Sequence, residues 1–163
     1  MIRLLAIAVC AVALYCAESH ADSTIFLHAG VSVSNSQDNE HATSWGVSQF
    51  IEDYRIPFVV GYLTEGHQGG SKRDGLFIQA MGEYHFTPEV DTLVFAGPYI
   101  NATTQSTSST TYKDEYNVTL LGGFGMRYKL SEHWSVLAQW QHVITFANKD
   151  SDVFLLGFGL HMR

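Results

Sequence analysis

The chain has 163 residues, 46% of them hydrophobic, and a formal net charge of −7. That length supports one domain with an interior, and the acidic balance argues against a nucleic-acid partner. Both cysteines, Cys10 and Cys16, lie in the N-terminal stretch, so the rest of the chain has no disulfide framework and no thiolate metal site.

Residues 1–21 read as a secretory signal peptide: Arg3 supplies the positive start, residues 4–14 are apolar, and Ser19 and Ala21 place small residues before a cleavage point. The apolar run is short of the ~20 residues that a helical span requires. Residues 22–163 are then the mature domain. No later stretch is apolar enough for a membrane helix, so insertion in a bilayer would require a closed barrel.

From Asp22 the chain reads as strands of alternating parity separated by polar loops. The first covers residues 24–34, with Ile25, Leu27, Ala29 and Val31 on one face and Phe26, His28, Gly30 and Ser32 on the other. After a polar loop at 35–43, the next strands cover 44–51 and 57–64, joined by a tight turn. A charged loop at 65–74 precedes the fourth strand, 75–86. The fifth is placed at 93–102, and a Ser/Thr-rich loop is expected at 103–114. The sixth, 115–130, alternates Tyr116, Val118, Leu120, Phe124, Met126 and Tyr128 against Asn117, Thr119, Gly123, Gly125, Arg127 and Lys129. The last two cover 134–144 and 151–163.

The connections alternate long and short, as in barrels with long external loops and short periplasmic turns. On the apolar parity, Tyr84, Phe86, Tyr128 and Trp134 gather at the short-turn end, and Trp45, Tyr62, Tyr99 and Tyr116 toward the long-loop end. Two such belts mark the two lipid interfaces. The other parity carries Gln79, Glu83, His85, Arg127, Lys129 and Gln139, which suits an interior filled with hydrogen-bonded side chains. Glu83, Arg127 and Lys129 are expected to pair there, since buried charges require partners. The expected fold is all-β: an eight-stranded antiparallel up-and-down transmembrane β-barrel, similar to the small outer-membrane barrels of the OmpA/OmpX kind. At eight strands the interior holds packed side chains and no pore. The rival is a secreted lipocalin-like lipid-binding barrel of inverted polarity, with Phe124, Tyr128 and Phe158 around a cavity.

The final hairpin places His142 and Asp152 on its apolar parity at the loop end. Ionisable groups facing lipid are costly unless paired or near the interface, and a His–Asp pair is the arrangement of a base with its orienting acid. The stretch Gln141-His142-Val143-Ile144, followed by Asp152-Val153-Phe154, resembles the outer-membrane lipid A deacylases of the PagL type. These are eight-stranded barrels whose outward-facing His, Ser and acidic residue cut an ester-linked acyl chain from lipid A. The resemblance implies the base position for His142 and the acidic position for Asp152. It puts Ile144 where the serine nucleophile belongs, leaving Thr145 or Ser151 as the nearby hydroxyls.

A second cluster lies in the charged loop. Glu65 and His67 are candidate metal ligands, and Lys72 and Arg73 candidate contacts for lipid phosphates. No cofactor is expected. The sequence therefore leads to a monomeric barrel among outer-membrane lipids and lipopolysaccharide of a Gram-negative bacterium, with a structural or lipopolysaccharide-interacting role. A working lipid A acyl-ester hydrolase and the secreted barrel are its alternatives.

Overall fold

A computed structural model describes residues 23–35, 40–68, 71–108, 111–145 and 150–162; the expected signal peptide lies outside them. Eight antiparallel strands run in chain order: β1 (Ser23–Ser34), β2 (His41–Ile51), β3 (Phe58–Gln68), β4 (Ser71–His85), β5 (Val90–Ser108), β6 (Thr111–Lys129), β7 (Trp134–Ile144) and β8 (Ser151–Met162). Each pairs with its sequence neighbour, and β8 pairs with β1 to close the barrel. Closure leaves no sheet edge along the shared wall. A strand of 11 residues such as β7, at roughly 3.3 Å per residue and a tilt of about 40°, rises about 28 Å, enough to cross the ~25 Å apolar band of an outer membrane.

Two of the loops expected from the sequence are strand. Residues 65–68 and 71–74 of the charged stretch belong to the ends of β3 and β4, and 103–108 and 111–114 to β5 and β6, each 19 residues long. Polar strand residues carry no hydrophobic alternation, so periodicity does not report them. β6 pairs with β7 only from Leu120 onward, so the β5–β6 hairpin stands above the rim. At Gly66, where φ is +77°, the β3–β4 register shifts by one residue, a β-bulge that only a residue tolerant of positive φ accommodates readily. The β4–β5 ladder also breaks between Phe77↔Tyr99 and Ala80↔Ala96, where Pro98 has no N–H to give.

The faces follow the alternation. Leu27, Val118, Phe124, Leu156 and Phe158 project outward, and Arg127, at 1% exposure, is buried inside. The lipocalin-like inversion therefore does not hold, since Phe124, Tyr128 and Phe158 all lie on the exposed side. Tyr84, Phe86, Tyr128 and Trp134 form an exposed belt at the short-turn end, and Trp45 and Tyr116 stand exposed toward the loop end. Tyr62 packs on Trp45 with ring centroids 5.4 Å apart. Tyr99 does not belong to that belt. It is fully buried and donates from its hydroxyl to the Leu63 carbonyl at 3.2 Å.

The interior is also less polar than the sequence implies. Phe26, Phe50, Leu63, Leu93, Leu121 and Leu137 belong to a buried apolar cluster. Phe26 stacks near His28 and packs on Phe50, which meets Phe95 edge-on. Polar groups gather above and below this aromatic plug, and at the short-turn end a cavity of about 340 Å³ opens among Ser23, Thr24, Glu52, Lys129 and His161.

Candidate functional site

The period of two puts Trp140, His142 and Ile144 of β7 on the outward face with Asp152 and Phe154 of β8. The register sets His142 directly opposite Asp152. The His142 Nδ1 lies 2.9 Å from Asp152 Oδ1, which also accepts the Trp140 indole N–H at 2.9 Å. Asn35, just beyond β1, donates to Oδ2 at 3.1 Å. An ionised carboxylate only accepts, so the proton of this contact belongs on Nδ1 and the imidazole is held in one tautomer and one orientation. Nε2 is then the nitrogen left for a ligand. The pair is part-exposed, with His142 at 30% and Asp152 at 24%. The geometry is the one a base and its orienting acid adopt, set on the outer wall near the loop end.

A nucleophile is harder to find. Ile144 shares the outward face, but its side chain has no nucleophilic atom. Thr145 donates its hydroxyl to Asp150 Oδ1 at 3.0 Å and its backbone N–H to the same oxygen at 2.7 Å. Ser151 stands on the wrong side of the wall: it is 1% exposed inside the barrel and donates to Glu65 Oε2. Adjacent strand residues face opposite ways, so a serine next to Asp152 cannot share its face.

The wall beside the pair is shallow. Gly122 is the cross-strand neighbour of His142, followed by Ala96 and Ala80 along the same row. Phe124 and Val94 flank that row on one side, and Leu120, Pro98 and Ile78 on the other. A methyl group placed on Gly122 would meet nothing closer than 3.4 Å, so the floor here lies open to the outside. At about 4.8 Å per strand, the row leads some 14 Å from His142 across the apolar surface.

The second cluster expected from the sequence divides between inside and outside. Glu65 is buried and ion-paired with Arg73 at 3.1 Å, while His67 is exposed, so the two do not converge as metal ligands. Arg73 also donates to Ser151 at 3.3 Å and is mostly buried, which withdraws it from any lipid phosphate. Lys72 lies 3.6 Å from Asp74 on the outer wall, where Asp74 also accepts the Tyr62 hydroxyl at 2.9 Å. Strand alternation puts the neighbours Lys72 and Arg73 on opposite faces, and the bulge at Gly66 does the same for Glu65 and His67, which a regular strand would keep together.

At the short-turn end the expected charges do meet, in a larger group. Arg127 bonds Glu52, Glu83 and Asp91. Asp91, fully buried, also accepts Lys129 at 3.0 Å and lies 2.6 Å from the His85 ring. The sequence reading did not bring Glu52, His85 and Asp91 into this group: Glu52 and Asp91 reach Arg127 directly, and His85 joins through Asp91, its cross-strand partner. The excess of carboxylates along that rim was the available signal.

An eight-stranded up-and-down barrel with an apolar outer wall and ion-paired clusters inside has the fold of the small outer-membrane barrels. No family model and no curated protein matches the sequence. Among solved structures, it is similar to Neisserial surface protein A, with a TM-score of 0.72 and 14% identity over 85% of this chain and 96% of that one. Ail, the attachment invasion locus protein of Yersinia pestis, aligns with a TM-score of 0.65 and 11% identity over 88% of this chain and 99% of the other. The N-terminal barrel domain of Pseudomonas aeruginosa OprF gives 0.65 and 16%, over 85% and 97%.

Proposed function

We propose that this protein is a monomeric, poreless barrel of a Gram-negative outer membrane that contacts lipopolysaccharide through the outward His142–Asp152 face. The observation that carries the reading is the distribution of polarity. Leu156 is 67% exposed and Leu27 68%, while Arg127 is 1% exposed, an arrangement suited to lipid outside and unfavourable in water. The aromatic belts support the same orientation, with the short turns toward the periplasm and the β5–β6 hairpin outside. His142, Asp152, Trp140 and Asn35 then lie near the outer-leaflet interface, where polar groups are tolerated and lipid headgroups are within reach. Fractionation tests the location: recovery with outer membranes and a heat-modifiable gel mobility are expected. Soluble recovery without detergent would defeat it.

A second reading is favoured by the 2.9 Å contact that orients His142: hydrolysis of a lipid A acyl ester, with the furrow over Gly122, Ala96 and Ala80 taking the acyl chain. It requires a hydroxyl or an activated water in line with Nε2, and among the described residues the outward place next along β7 is held by Ile144. The first reading is therefore preferred. Mass spectrometry of lipid A incubated with the folded protein separates the two, and unchanged lipid A is expected. Loss of one acyl chain that disappears in His142→Ala would establish the esterase.

A further inference from the structure

We infer that Glu83, His85 and Asp91 form a binding site for a divalent transition ion of the zinc type at the short-turn rim of the barrel. Glu83 and His85 are two residues apart on the inward parity of β4, and Asp91 is the cross-strand partner of His85 on β5. One hairpin thus presents an imidazole and two carboxylates to a single point, with ligand atoms within 4.8 Å of one another. The His85 Nδ1 lies 2.6 Å from Asp91 Oδ1 and 3.5 Å from Glu83 Oε1. Donor atoms around a tetrahedral zinc ion, at bond lengths of ~2.0–2.1 Å, sit roughly 3.3–3.4 Å apart, so both His85 contacts lie within about 1 Å of that spacing.

The far side of the site is already braced. Arg127 holds Asp91 Oδ2 at 2.8 Å and Lys129 the same oxygen at 3.0 Å, leaving Oδ1 turned toward His85. Outer partners of this kind fix the orientation of a ligating carboxylate. The charge count also leaves room for a cation: among the described residues, Glu52, Glu83 and Asp91 are ion-paired with the two cations Arg127 and Lys129, one positive charge fewer than the carboxylates at a largely buried rim. His85, 68% exposed, supplies the entry path and leaves the outer coordination positions to water. Imidazole in the ligand set favours zinc, nickel or copper over magnesium or calcium.

The competing occupant is a proton on His85, which would restore the same charge balance. The test uses the tag-free chain folded in phospholipid bilayers, titrated with Zn²⁺ alone and followed by calorimetry and by the thermal midpoint. One ion per chain and a midpoint that rises with zinc are expected, with affinity falling at least about tenfold in His85→Gln, as loss of a ligand should cost no less than loss of an outer partner. His85 is exposed, so that variant should fold; Glu83→Gln serves as a second. No uptake by the wild type, or uptake unchanged in His85→Gln, would overturn the site, as would a midpoint that responds to acid but not to zinc.

Discussion

Replacing Arg127 with Met tests how the interior is held together. The guanidinium is 1% exposed and bonds Glu52, Glu83 and Asp91 at once. Methionine keeps the apolar stem and removes the charge, leaving three carboxylates at one end of the barrel. Asp91 would retain Lys129 at 3.0 Å and His85 at 2.6 Å, and Glu52, 26% exposed, can be hydrated in place. Glu83, 14% exposed, keeps only the more distant His85 at 3.5 Å. Breaking a buried ion pair from one side costs ~3–5 kcal/mol, and the partial relief for two of the three acids points to the lower end, about 3 kcal/mol. With a urea slope of ~1–3 kcal/mol per molar, the midpoint should fall by roughly 1–3 M. Trp45, Trp134 and Trp140 on the outer wall make lipid-to-water transfer visible in fluorescence. The double variant Arg127→Met/Glu83→Gln should recover part of the loss, because the stranded charge goes with its partner. A midpoint unmoved by Arg127→Met would refute the claim that this cluster stabilises the fold.

Three further outcomes follow from the same geometry. Ile144→Ser places a hydroxyl on the outward face beside His142, and lipid A deacylation above the wild-type level is expected in mass spectra; silence would show that the His142–Asp152 pair does not act as a base. Gly97→Ala should reduce stability by about 1–3 kcal/mol or prevent folding, since an added methyl would lie 2.0 Å from the Ile78 carbonyl oxygen, and the folded gel band reports it. In planar bilayers the wild-type barrel should pass no ionic current, because Phe26, Phe50 and Phe95 pack together across its middle; stable single-channel steps would contradict a filled interior.

Much of the wall was legible in residue order. In β6, β7 and β8 one parity is mostly apolar and the other mostly small or polar, broken by inward Leu121, Leu137 and Leu155, so the outward placement of Phe124, His142, Asp152 and Phe158 followed from alternation. β5 is different, because it is apolar on both parities: Leu93, Phe95 and Tyr99 face in, while Val94, Ala96 and Ile100 face out. Alternation is then silent, and Tyr99 was assigned to the wrong face. Glu65 and Arg73 were hidden for the opposite reason. They sit in polar stretches that look like loop, and strand pairing becomes apparent only when β3 and β4 are laid side by side.

The sequence alone thus determined the strand count, the polarity of most of the wall and the shared face of His142 and Asp152, because each depends on nothing beyond a two-residue repeat. Closure and register decided the rest. They set Asp152 opposite His142 within bonding distance, turned Ser151 inward to Glu65, and brought Glu52, Glu83 and Asp91 to one arginine. All but the first of those contacts join residues far apart in the chain. Their partners are chosen by which strands are neighbours and at what offset, a property of the closed sheet that no local pattern encodes.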